Sequence, residues 1–129
     1  MFNELIDWPI ESDRLHWQAT HVLRNLHGGV QLLFRLTLTG THFPERGAEP
    51  FMSIGGLRSH FVRISSDGLT ADGYFDHPPP KEGAIEFGYG HRVMLRCRRG
   101  FDIRDAKLLK KALLPANVRN LDRFAAMLG

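Results

Sequence analysis

The chain has a single cysteine, Cys97, in 129 residues. No internal disulfide can form, and a reducing, cytoplasmic location is expected. No apolar run approaches the roughly 20 residues of a membrane span, so no membrane partner is expected. Residues 1–13 hold Glu4, Asp7, Glu11 and Asp13 but no lysine or arginine, so the basic start of a secretory signal is missing. Catalytic signatures are missing as well. The chain contains no G-x-S-x-G elbow, no HExxH or HxH pair, no Cys/His set at zinc spacing and no phosphate loop leading into a helix. The common motif-based enzymes are thereby excluded, and no catalytic residue, metal ligand or cofactor is assigned.

What is present reads as one domain of ordinary globular composition, 43% apolar and 24% charged. The clearest pattern lies in "VQLLFRLTLT", residues 30–39. Val30, Leu32, Phe34, Leu36 and Leu38 point one way, and Gln31, Arg35, Thr37 and Thr39 the other, with Leu33 the exception. Period-two alternation predicts a strand with one face in the core and one in water. "THVLRNL" before it, across "HGG", completes a hairpin. "PFMSI", "LRSHFVRIS", "LTADGYF", "AIEFGYG" and "RVMLRCR" follow as strands. About seven short strands with turn signals roughly every 8 to 12 residues predict an antiparallel β-sandwich or barrel.

The period changes after Phe101. Ala106, Leu109, Ala112 and Leu113 recur at helical spacing, with Asp102 or Asp105 able to cap and Pro115 to stop. Val118, Leu121, Phe124, Ala125 and Leu128 repeat the theme. The reading is a mainly β chain with two short C-terminal α-helices. Residues 1–19 form an extended arm pinned by Trp8 and Trp17, residues 20–101 the sandwich, and residues 102–129 a helical appendage.

Between the strands lies "GTHFPERGAEPFMSIGG", residues 40–56, which suits either a reactive loop or a corner between sheets. Gly40 and Phe43, then Ile54-Gly55-Gly56, then "ISSDGLTA" resemble the immunoglobulin-like IPT/TIG module over about residues 30–76. The resemblance implies an immunoglobulin-like sandwich. Gly40 would turn the chain out of a long strand, Phe43 would plug the core and Gly55-Gly56 would be a hairpin turn. On that resemblance the loop is a corner.

Candidate chemistry is sparse. His16, His21, His27, His42, His60, His77 and His91 are scattered, although a sandwich can gather distant ligands. Cys97 alternates with Val93 and Leu95 and reads as an inert core thiol. The charge is uneven: residues 1–90 hold seven basic and eleven acidic side chains, and residues 91–129 hold ten and three. Arg92, Arg96 and Arg98 alternate along the last strand, and Arg99, Arg104, Lys107, Lys110 and Lys111 extend them into a basic patch. A solvated face, partly neutralised by the acidic N-terminal arm, is the competing reading.

The function expected is a non-catalytic interaction or assembly module of a small intracellular protein of bacterial type. Its partner would be a protein or a second copy. Leu109, Leu113, Leu121, Phe124 and Leu128 would form the assembly surface of a homodimer that exchanges helices. Nucleic-acid binding through the basic patch is the alternative, and a histidine-dependent metal enzyme on a sandwich the third reading.

Overall fold

The computed structural model describes residues 9–129; Trp8, expected to pin the arm, lies outside them. Eleven strands follow in order: β1 (Ile10–Ser12), β2 (His16–Leu26), β3 (Gly29–Thr39), β4 (Pro50–Ile54), β5 (Leu57–Arg58), β6 (Phe61–Ile64), β7 (Thr70–Phe75), β8 (Glu82–Gly83), β9 (Ile85–Tyr89), β10 (Arg92–Cys97) and β11 (Phe101–Asp102). The chain is mainly β and its sheets are antiparallel apart from the β1–β10 pair. A four-stranded sheet runs β2-β3-β7-β6, a five-stranded sheet β1-β10-β9-β4-β5, and β8 pairs with β11.

The alternation in residues 30–39 is realised in β3, where Leu32, Phe34, Leu36 and Leu38 are buried. β2 pairs with it along its whole length, from His16 opposite Thr39 to Leu26 opposite Gly29. The first long strand therefore begins at His16 and not at residue 20, and β1 forms within the segment expected to be an arm. Trp17 and Ala19 stand opposite Leu38 and Leu36 and are buried with them, so the core reaches back past the expected boundary.

Both sheets contribute to one core. Phe34, Leu36 and Ala71 come from one, and Met52, Ile54 and Phe87 from the other. Fully burying an aliphatic or aromatic side chain of this size stabilises by about 1.5–3 kcal/mol, so these few residues outweigh any surface pair. At Gly73 the Met52 side chain of the facing sheet fills the space a Cβ would take.

Residues 40–56 form a corner. Gly40 has φ 103°, and a Cβ on it would stand 1.7 Å from the Arg14 carbonyl oxygen, so only glycine fits. Phe43 is 1% exposed and meets the Phe87 ring edge-on at 5.0 Å between centroids. Gly55 and Gly56, both at positive φ, are the two-residue turn between β4 and β5. "LRSHFVRIS" is not one strand, because β5 and β6 belong to different sheets. The chain crosses between them at Ser59-His60, where Ser59 N–H donates to Met52 O and His60 N–H to Tyr74 O.

The tail corrects the expectation of two amphipathic helices. Residues 102–114 form two separate 3-10 turns, Ile103–Asp105 and Lys111–Leu113, and among residues 102–129 α-helix is confined to α1 (Leu121–Phe124), followed by a 3-10 turn at Ala125–Met127. Asp102 does cap, its carboxylate accepting from Arg104 N–H. Helices this short are marginal in water, and here open sheet edges offer the backbone better partners. Lys107 N–H donates to Ala19 O at 2.8 Å and Lys107 O accepts from His21 N–H at 3.3 Å, so the segment lies along the free edge of β2.

Further on, Asn117 O accepts from Val30 N–H and Arg119 N–H donates to Val30 O, on the part of β3 that β7 does not reach. The Asn120 side chain finishes this ladder. Its Oδ1 accepts from Leu32 N–H and its Nδ2 donates to Leu32 O, each at 2.8 Å and buried. Asn120→Ala leaves both backbone groups of Leu32 without a partner and should cost roughly 2–4 kcal/mol. Urea unfolding should show this as a lower midpoint at unchanged slope. Leu113→Ala, at a side chain 77% exposed, should stay within about 0.5 kcal/mol of the parent.

Candidate functional site

The basic patch read from the sequence is divided by the fold. A bulge in β10 between Val93 and Leu95 puts Arg92 opposite Tyr89 but Arg96 opposite Glu86, on the other face. The expected alternation of Arg92 with Arg96 and Arg98 is therefore broken by one extra residue. Most of the patch is also paired within the chain. Arg96 Nη2 is 2.7 Å from Glu86, and Arg98 lies 3.5 Å from Glu11 and 3.9 Å from Asp13. Arg99 reaches Asp105 at 3.3 Å, donates to Trp17 O and stacks 4.1 Å over the Trp17 ring. Arg104 binds Asp102, whose carboxyl those hydrogen bonds hold down at about 2. Lys107, Lys110 and Lys111 remain exposed on the tail.

The residues assigned to assembly sit mostly on the chain's own body. Phe124 is 0% exposed and meets the His21 ring edge-on, while Leu109 and Leu128 pack against the core. Leu121 is half-buried and Leu113 projects into solvent.

A different cluster of cations emerges on the outer face of the β2-β3-β7-β6 sheet. Cross-strand register lines up Thr20, Arg35, Tyr74 and Phe61 in one row, and Gln18, Thr37, Asp72 and Arg63 in the next. Arg35, at the centre, is half-buried, and its Nε is fully buried with no hydrogen-bond partner. Among the described residues neither Arg35 nor Arg63 pairs with a carboxylate. Asp72, the acid opposite Arg63, accepts instead from the Thr37 hydroxyl. That nitrogen, like Trp17 Nε1 and His21 Nε2, is out of reach of an outside acceptor; the terminal nitrogens of Arg35, which are not fully buried, are the donors it offers to the groove.

Two grooves meet at Arg35. One, of about 490 Å³, runs along β2 past Thr20 and Thr37 to Lys107 and the Arg99–Asp105 pair. The other, of about 300 Å³, is lined by Val22, Leu33, Phe61 and Tyr74, with Arg24 and Arg63 at its sides. Leu33, the exception in the β3 alternation, is 1% exposed although it lies on this outer face. Phe61 and Tyr74 stack face to face, 4.6 Å between centroids and 17° between planes, and the Arg24 guanidinium lies 5.6 Å from the Phe61 centroid. Arg24, Arg35 and Arg63 were missed in the sequence because they are spaced far apart along it. The signal was Arg35 on the polar face of the best-defined strand, next to the one misplaced leucine.

The remaining reactive groups are spread out. Cys97 is buried, and burial pushes its thiol up to about 12, so it stays protonated. His60 and His77 flank Asp76 at 3.8 and 3.0 Å. Among the described residues no group of three histidine, cysteine or acidic side chains forms a metal site. His21 is buried between the Phe34 and Phe124 rings, its Nδ1 accepting from Leu109 N–H at 3.1 Å.

Burial lowers the His21 pKa below its ordinary 6.5. Above 6.5 the imidazole is neutral folded or unfolded, and stability does not depend on it. Below 6.5 the unfolded chain takes up the proton first, so stability falls as pH drops toward the lower folded value. The urea midpoint of the wild type should therefore fall faster between neutral pH and about pH 5 than that of His21→Phe. The variant, lacking the acceptor for Leu109, should start about 1 kcal/mol less stable at neutral pH. Parallel pH profiles for the two proteins would remove His21 as the source.

Comparison of the chain with family models, curated proteins and solved structures finds no match, so no IPT/TIG membership is shown and the geometry alone carries the functional reading.

Proposed function

We propose that the protein is a non-catalytic interaction module, working in the cytoplasm, that binds an anionic partner on the outer face of the β2-β3-β7-β6 sheet. The observation that carries this reading is Arg35. A half-buried arginine at the centre of a sheet, without a carboxylate partner among the described residues and with its terminal nitrogens not fully buried, is suited to a bidentate anion such as a phosphate or carboxylate. Arg63 and Lys107 add positive charge on either side. The paired arginines of β10 and the adjoining loop serve in this reading to hold the N-terminal and β11 segments in place. The likeness of residues 30–76 to an immunoglobulin-like module is in keeping with a binding role on a rigid sandwich.

Titration of the isotopically labelled protein with short-chain polyphosphate tests the assignment. Amide shifts should concentrate on residues 18–24, 33–37, 61–63 and 72–74 and fade as salt is raised. Arg35→Gln or Arg63→Gln should weaken binding roughly tenfold or more, the worth of one charge-assisted contact. Arg96→Gln with Arg98→Gln should leave it unchanged. Shifts centred on residues 92–99 would return the site to the β10 patch.

Self-association is the second reading, and the tail is the observation that favours it. The contacts of residues 107–124 with β2 and β3 can be made in cis or, by exchange, between two copies. A homodimer of this kind should sediment as a dimer at micromolar concentration and dissociate when residues 116–129 are deleted. A full-length chain that sediments as a monomer at all concentrations would remove it.

A further inference from the structure

We infer that the anionic partner of this face is single-stranded nucleic acid, an inference that rests on the anion-binding reading above. The two grooves that meet at Arg35 differ in chemistry, and a single strand alternates in the same way. Around Gln18, Arg35 and Lys107 the lining is polar and cationic and suits a phosphodiester. Around Val22, Leu33, Phe61 and Tyr74 it is apolar and aromatic and suits a base.

The aromatic pair gives the recognition element. Tyr74 and Phe61 are already stacked, and Arg24 lies over Phe61, so the column ends in a guanidinium that is exposed to solvent. Bases stack on rings and on arginine planes alike, irrespective of sequence. A base added to this column, with its flanking phosphates on Arg35 and Arg63, would give the terminal guanidinium nitrogens of Arg35 an acceptor. Charge complementarity selects a polyanion, because Asp72 is the one acid in the two central rows and it is engaged by Thr37. The aromatic column then selects among polyanions. A duplex keeps its base faces stacked inside, and an acidic peptide offers no plane to add.

Fluorescence anisotropy with a fluorescein-labelled oligothymidylate of about 12 nucleotides tests this. The oligonucleotide should bind at least roughly tenfold more tightly than polyphosphate of matched charge, with affinity falling steeply as salt rises. Phe61→Leu and, separately, Arg24→Lys, which keeps the exposed charge but removes the guanidinium plane, should each weaken oligonucleotide binding several-fold while polyphosphate binding holds. Circular dichroism checks that the variants are folded, and Arg24→Lys keeps the test decisive if Phe61→Leu is not. Equal affinity for oligonucleotide and polyphosphate, with both variants silent, would overturn the inference and leave the anion face standing. Tighter binding of polyglutamate or of the matching duplex would overturn it in favour of that partner. Failure to bind any of the four polyanions would remove both readings.

Discussion

On its side away from β2, the backbone of β3 between Gly29 and Leu33 has no strand beside it, because β7 pairs only from Phe34 onward. Those peptide groups are half-buried or buried and must find partners elsewhere, and the last third of the chain is arranged around that need. Residues 117–120 supply backbone partners to Val30, and the Asn120 amide closes on Leu32. Once Asn120 is fixed, Phe124 reaches the core one helical turn later, and its ring closes over His21. His21 in turn holds Leu109, so the two ends of the tail segment are tied to one hairpin.

Charge follows the same logic of local need. The arginines of the last third are numerous, but Arg96, Arg98, Arg99 and Arg104 each lie within 4 Å of a carboxylate. Such exposed pairs stabilise weakly, by about 0–1 kcal/mol, and their effect is to organise loops. The sheet face has fewer cations, but they lack that compensation. Three arginines from β2, β3 and β6 converge there because the ladder places residues far apart in sequence a strand width apart in space. An unpaired charge near apolar side chains keeps more of its field than one in open water. Function is therefore better sought where the cations are few and unpaired.

Strands were the most legible feature. The alternation in β3 marked the buried face residue by residue, and "PFMSI" and "AIEFGYG" mark β4 and β9 within one or two residues at each end, because period-two burial is a local property. The helical spacing of residues 106–113 misled for the converse reason. A 3.6-residue period states which side chains seek a core, yet the backbone followed the free edge of β2, and Leu109 still reached the core in an extended conformation. The bulge in β10 was equally invisible: one extra residue moves every later side chain to the other face.

By itself the amino-acid sequence determined the mainly β class, the β2–β3 hairpin, and the inert, buried character of Cys97. Each rests on local periodicity or on a backbone conformation that glycine alone tolerates. Only the tertiary structure decided which arginines are neutralised, that Leu33 underlies a groove, and that Arg35 stands beside Tyr74 and Phe61 with an unmet donor. Pairing between strands joins residues separated by long stretches of chain, and whether a charge is free depends on every neighbour the fold brings to it.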